Sequence, residues 1–128
     1  MKVGYVRIST KEQNTARQDL LMQELGVERV FTDKVSGKNQ ERPELRKMMD
    51  FVREGDSLTV ESISRFARNT RDLLDLTATL DAKGVQFISR KENIDTSTAA
   101  GKFMLAVFAL WLNSNGITYW NVKPRESP

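Results

Sequence analysis

Arg7 and Ser9 stand two residues apart where an apolar run, residues 3–8, gives way to a polar segment. Side chains alternate along a strand, so a residue and its second neighbour share a side. A buried strand over the run would put the Arg7 guanidinium and the Ser9 hydroxyl together at its carboxyl end. Open α/β sheets keep their sites at that edge. The pair is a candidate nucleophile with a cation beside it. The competing reading of Ser9 is a helix cap, the common role of Ser and Thr before a helix. Three more arginines fall where strand ends should converge. Arg42 follows a second loop, and Arg65 and Arg68 follow a third strand, three apart and so on one face of a helical turn. Arginine suits phosphate because its planar fork donates two parallel hydrogen bonds and keeps its charge. A serine among such cations can attack a phosphodiester. The cations favour the alkoxide and offset the extra charge of a five-coordinate transition state. Taken singly, each arginine could equally be a solvated surface residue.

Composition narrows the chemistry further. The chain has no histidine and no cysteine, which excludes a Ser-His-Asp triad, a cysteine nucleophile, disulfides and zinc–thiolate sites. Serine, arginine, lysine and carboxylates must suffice. Asp33, Asp56 and Asp95 could instead form the divalent-metal cluster of a nuclease, although aspartates in loops are commonly turn formers. A length of 128 residues suits one domain, and 39% apolar with 29% charged residues is ordinary for a globular chain. A net charge of +3 permits a polyanionic partner. No apolar stretch approaches the ~20 residues of a membrane span. The N-terminus enters a strand directly with no signal-peptide pattern, and the lack of cysteine agrees with a cytoplasmic protein.

Strands and helices in alternation would position these residues. The first strand covers residues 2–8. Thr10 and Gln13 have capping-box spacing and open a helix over 12–25, with Ala16, Leu20, Leu21 and Leu25 at helical spacing and Gly26 closing it. A second strand covers 27–31, and the polar stretch 33–41 reads as a loop. Pro43 opens a second helix whose apolar face is Leu45, Met48, Met49 and Val52. The third strand, 58–60, leads into a basic turn or short helix over 64–69. Asn69 or Thr70 caps a helix reaching Lys83, with Leu73, Leu74, Leu76 and Leu80 inward. A fourth strand covers 85–89, residues 90–98 are polar, and a last helix begins at Ala99 with Phe103, Met104, Val107, Phe108 and Leu110. This alternation predicts an α/β three-layer sandwich. Its central sheet would be mostly parallel, with four to five strands flanked by helices and joined by right-handed crossovers.

In this order the motifs resemble the catalytic domain of the serine recombinases, the resolvase/invertase group of site-specific DNA recombinases. The matching stretches are Gly4-Tyr5-Val6-Arg7-Ile8-Ser9-Thr10 with Gln13; Phe31-Thr32-Asp33-Lys34-Val35-Ser36-Gly37-Lys38 with Arg42-Pro43; Glu54-Gly55-Asp56; Arg65 and Arg68 with Asn69; and Ile94-Asp95-Thr96-Ser97-Thr98 with Gly101. They span about residues 1–108. The resemblance implies that Ser9 attacks a DNA phosphate to give a 5′-phosphoserine link, and that strand exchange and rejoining follow within a dimer or tetramer, with no cofactor. It also implies that Arg7, Arg42, Arg65 and Arg68 are active-site arginines, with Gln13, Ser36 and Asp33 as supporting polar residues.

The sequence departs from the family pattern twice. Ser64 occupies a position where the family often has aspartate, immediately before the Arg65/Arg68 pair. A carboxylate that could orient an arginine or move a proton is absent there, and slower chemistry or a substitute is expected. After Phe108 the family continues as a long interface helix leading to a DNA-binding domain. Here Asn113 to Gly116 is poor helix material, and Pro124 and Pro128 oppose helix beyond it. The expectation is a resolvase-type catalytic domain over 1–110 and a divergent tail over 111–128. A frameshift would explain the tail, because ctg-aac-tcg-aac-ggg can encode residues 112–116 and the shifted frame reads gaa-ctc-gaa-cgg, the family's Glu-Leu-Glu-Arg; the alternative is an unrelated natural or vector-derived tail. Trp111, Tyr119 and Trp120 would then cover apolar surface, promote self-association or remain unstructured. Two rivals stay open: a remnant that only associates with itself or a relative, and the metal-dependent nuclease.

Overall fold

Apolar residues on both sides of the first strand make it a central one. In β1 (Lys2–Ser9), Val3 and Tyr5 are buried in one layer, and Val6 and Ile8 are buried in the other. The computed structural model describes residues 1–9, 16–36 and 41–119, with side chains placed for all of these except residues 9, 16, 17 and 115–119. After β1 come α1 (Ala16–Glu24), β2 (Arg29–Val35), α2 (Pro43–Phe51), β3 (Ser57–Val60), a 3-10 turn (Ile63–Arg65), α3 (Thr70–Ala82), β4 (Gln86–Ser89), β5 (Ile94–Asp95) and α4 (Ala99–Tyr119). The sheet order is β2-β1-β3-β4-β5. All neighbours are parallel except β5, which runs antiparallel to β4. The fold is therefore the α/β class expected, with five strands.

Helices α2, α3 and α4 cover the face that Val3 and Tyr5 share with Phe31, Leu58, Val60 and Phe87. Phe66 sits at the centre of this core with its ring 4.9 Å from that of Phe87. Burying one such side chain contributes about 1.5–3 kcal/mol. The opposite face is covered by α1 through Met22 against Val6 and Ile8. Gly4 permits that approach, because a Cβ there would lie 2.8 Å from the Met22 sulfur.

Several expectations are corrected. β2 runs on to Val35, so residues 33–35 are strand and not loop. Continuous register with β1, from Val3↔Arg29 to Ser9↔Val35, overrides the polar composition. The short β5 lies inside the polar stretch 90–98, where two residues are too few to show a period. In α1 the buried residues are Gln18 and Met22, while Leu20 is exposed. Leu74 of α3 is likewise exposed. Helix α4 forms where expected and carries much of the exposed apolar surface. Phe103 and Leu110 are 69% and 71% exposed, and Met104 and Val107 are also exposed. The buried positions are Gly101, Ala109 and Leu112, with Leu105 and Phe108 packed against the core. The helix also continues through Asn113–Gly116 to Tyr119. Each poor helix former costs at most about 1 kcal/mol, and Leu112, fully buried among core residues, anchors that segment.

Candidate active site

The site is built from β2 outward. Arg42 occupies the N-cap position of α2 and makes no side-chain cap, because a guanidinium has no acceptor. Asp33 of β2 takes over that task. Its Oδ1 accepts from the Glu44 N–H at 2.9 Å, and its Oδ2 accepts from the Leu45 N–H at 3.0 Å and from the Tyr5 hydroxyl at 2.8 Å. A carboxylate is favoured at a helix N-terminus, and Asp33 is 2% exposed. Asp33 thus fastens α2 to β1, and fixing α2 fixes Arg42. Burial, then the hydrogen bond to Asp33 and its charge, push the Tyr5 phenol far above its usual range. Tyr5 is a donor here and cannot act as a base near neutral pH.

Arg42 is only 8% exposed. Its Nη1 donates to the Asp72 Oδ2 at 2.9 Å and to the Phe66 carbonyl at 3.1 Å, and its Nη2 donates to the Asp72 Oδ1 at 3.2 Å. Three of its five N–H groups are thereby used among the described residues. Asp72 sits in the first turn of α3. Its backbone N–H donates to the Asn69 Oδ1 at 2.8 Å, while its Oδ2 accepts from the Arg68 N–H at 2.9 Å. Burial alone would raise the Asp72 carboxyl. The Arg42 hydrogen bond, the Arg68 N–H and both arginine charges outweigh it and hold the group below the usual carboxylate range. Sequence reasoning passed over Asp72, although Asn69 followed three residues later by an acid is the spacing of a reciprocal helix cap. This carboxylate orients an arginine, a task that Ser64 cannot perform.

Arg7 and Arg65 form a second cross-link. The Arg7 Nη2 donates to the Ser64 carbonyl, and the Arg65 Nη1 donates to the Arg7 carbonyl at 3.1 Å. Burial pushes the Arg7 guanidinium below its ordinary pKa, and the charges of Arg42 and Arg65 push the same way, partly offset by Tyr5 and Asp72. The cation is held where neighbouring cations repel it. An anion arriving there recovers that cost.

The four arginines lie at the carboxyl edge of the sheet, and three of them divide between two pockets. Arg42 and Arg68, with Glu41, Leu45 and Arg46, line one of 420 Å³. Arg65, with Ser62 and Ser64, lines another of 460 Å³ that reaches Leu21 of α1. Arg7 feels the charges of Arg42 and Arg65, one from each pocket. The β1 backbone brings Ser9 to this edge, paired with Val35. Ser36 follows directly on β2. Gln13, and the cap expected from Thr10, lie outside the described residues. The proposed metal cluster is not formed. Asp33 caps α2, Asp56 before β3 accepts from the N-terminal ammonium at 3.0 Å and the Arg53 N–H at 2.9 Å, and Asp95 on β5 accepts from Gln86 at 2.8 Å and the Ser97 N–H at 2.9 Å. Among the described residues no three carboxylates come together.

A family model described as "Resolvase, N terminal domain" matches residues 2–113. The Tn917 transposon resolvase of Enterococcus faecalis is 38% identical over 109 residues, covering 85% of this chain and 59% of the relative. The DNA-invertase of Escherichia phage P1 is 44% identical over 107 residues, covering 84% and 58%. The chain thus spans less than two thirds of the length of these curated relatives. The crystal structure of the N-terminal catalytic domain of TP901-1 integrase superposes with a TM-score of 0.62 at 26% identity, covering 96% of this chain and 99% of that one.

Proposed function

Because the chain belongs to the resolvase family through its N-terminal domain, we propose that it is the catalytic domain of a site-specific DNA recombinase with Ser9 as nucleophile. The observation that supports this most is the gathering of Arg7, Arg42, Arg65 and Arg68 at the sheet edge to which β1 leads Ser9. In the proposed step the Ser9 oxygen forms a bond to phosphorus and the bond from phosphorus to the 3′ oxygen breaks. The proton lost by serine is balanced by one gained at the departing 3′-hydroxyl. A 5′-phosphoserine link remains. Attack by a 3′-hydroxyl reverses the step and rejoins a strand, so phosphodiester energy is conserved in the protein–DNA bond. The arginines favour the serine alkoxide and stabilise the charge on the five-coordinate phosphorus. Gln13 and Ser36 would support the nucleophile's surroundings.

The proposed partner of α4 is a second copy of the chain. Phe103, Met104, Val107, Leu110 and Trp111 form an exposed apolar face, and a 450 Å³ groove beside it is floored by Ile94. Contiguous apolar surface of this kind marks association. The test of the chemistry is a nicked suicide duplex incubated with the chain. A covalent adduct with a serine–phosphate linkage is expected, insensitive to a metal chelator and abolished by Ser9→Ala. No adduct from the wild-type chain, or an adduct that survives Ser9→Ala, refutes the assignment.

A further inference from the structure

The pocket that holds Arg65 contains two cations that the chemistry above does not use. Arg90 and Lys91 occupy the turn after β4, both exposed, and line the same 460 Å³ pocket as Ser62, Ser64 and Arg65. The turn is fixed against the loop that carries Arg65. The Arg90 N–H donates to the Val60 carbonyl at 3.1 Å, and the Lys91 N–H donates to the Glu61 carbonyl at 2.9 Å. Glu92, the acid of this turn, accepts at Oε1 from the Ser89 hydroxyl and from the Ile63 N–H at 3.2 Å. Its carboxylate is thus engaged away from the pocket, whose lining it does not join. Among the described residues Glu61 is the single carboxylate of the lining, against three cations. The hydroxyls of Ser62 and Ser64 meet at 3.1 Å and supply donors of the kind that accompany arginine around phosphate.

We infer that this pocket is a second phosphate seat, in which Arg90 and Lys91 grip a non-scissile phosphodiester of the DNA strand whose neighbouring phosphate faces Ser9. The inference rests on the DNA-cleaving reading of the arginine cluster. It adds a binding site to that reading, on the α1 side of the sheet, opposite the pocket of Arg42 and Arg68. Ser64 keeps the seat more strongly positive, since an aspartate at that position would add a second carboxylate to the lining and leave it positive by a smaller margin.

The test measures binding of the 128-residue chain to a short duplex by fluorescence anisotropy between 50 and 200 mM salt. Arg90→Gln/Lys91→Gln is compared with wild type and with Lys47→Gln/Lys102→Gln, which removes equal charge far from the pocket. Each neutralised phosphate adds about 0.9 to the slope of log affinity against log salt. One lost seat should lower the slope by that amount, so that wild type loses about 3.5-fold more affinity than the variant over this range. The control pair should leave the slope unchanged. Equal slopes for Arg90→Gln/Lys91→Gln and wild type, or an equal fall in the control pair, overturn the inference, as does a wild-type chain that binds no duplex. A variant that binds inorganic phosphate less well but keeps the DNA slope shows a seat for free anions only, which also overturns it. Adduct formation is scored separately. Loss of the seat effect with Ser9 adducts intact removes only this inference, whereas a seat effect without adducts removes the catalytic reading.

Discussion

Asp72→Ala is expected to be strongly destabilising although Asp72 lies outside the arginine cluster. The Asp72 side chain is 19% exposed and that of Arg42 9%, so the pair is nearly dry. Removing one partner of a fully buried pair costs about 3–5 kcal/mol, because the other charge is left unpaired. Asp72 keeps some contact with water, which lowers this to roughly 2–3 kcal/mol. The lost hydrogen bond from the Arg68 N–H adds about 0.5–1 kcal/mol. A total near 3 kcal/mol is a large share of the ~5–15 kcal/mol that holds a domain together. Urea unfolding of Asp72→Ala, Arg42→Ala and the double variant should show a coupling of about 1.5–3 kcal/mol. The pH dependence has a definite sign. The folded carboxyl is held below the ordinary aspartate value of 3.8, so its contribution is fully present above that value and lost as pH falls through the lower folded one. The stability gap between wild type and Asp72→Ala should therefore be constant near neutrality and close only in strong acid. A gap under ~0.5 kcal/mol at pH 7, within the range of ordinary surface substitutions, would refute the reasoning, as would a gap that does not narrow in acid.

Other outcomes follow from single contacts. Tyr5→Phe removes one of three donors to the buried Asp33 carboxylate and should cost about 1–2 kcal/mol in urea unfolding while leaving the fold intact. Gly101→Ala would put a Cβ 1.5 Å from the Asp95 carbonyl oxygen. Backbone cannot give as a side-chain end can, so α4 must shift off β5, at or beyond the upper end of the roughly 1–3 kcal/mol of ordinary overpacking; thermal unfolding reads this directly. Leu110→Glu changes a residue 71% exposed. It should leave the unfolding midpoint nearly unchanged but lower the mass measured by light scattering to that of one chain; an unchanged mass removes α4 as the interface.

The sequence carried the fold well wherever period and punctuation agreed. Pro43 and the Leu45, Met48 and Val52 stripe marked α2, and Asn69 caps α3 as its type suggests. It misled where polar residues serve the interior. Asp33 looked like loop because an aspartate in a strand is rare, yet its charge has three donors there. Gln18 is buried while Leu20 is exposed, which no apolar stripe could reveal. In α4 Phe103, Met104, Val107 and Leu110 are exposed. Periodicity reports apolar positions and cannot distinguish a face buried within the chain from one available to a partner. The arginines were legible as a group, but their division between two pockets depends on the packing of α1 and α2 on opposite faces of one sheet.

The supports of those arginines bear on mechanism. Tyr5 holds Asp33, Asp33 holds the start of α2, and Arg42 at that start holds Asp72, which in turn holds the Arg68 backbone. Arg7 and Arg65 are fixed through each other's segments by carbonyl oxygens. Every link uses a scaffold acceptor and needs no DNA. The work of bringing like charges together is thus done during folding, which is the condition under which fixed dipoles and charges stabilise a transition state without reorganising. The cost shows at Arg7, whose charged form burial and its neighbouring cations disfavour. A phosphate, and still more a five-coordinate phosphorane carrying extra negative charge, relieves that repulsion in proportion to its charge. On the proposed mechanism, binding at this edge would favour the transition state over the ground state, and Ser9, without a histidine partner, would be activated by the cations.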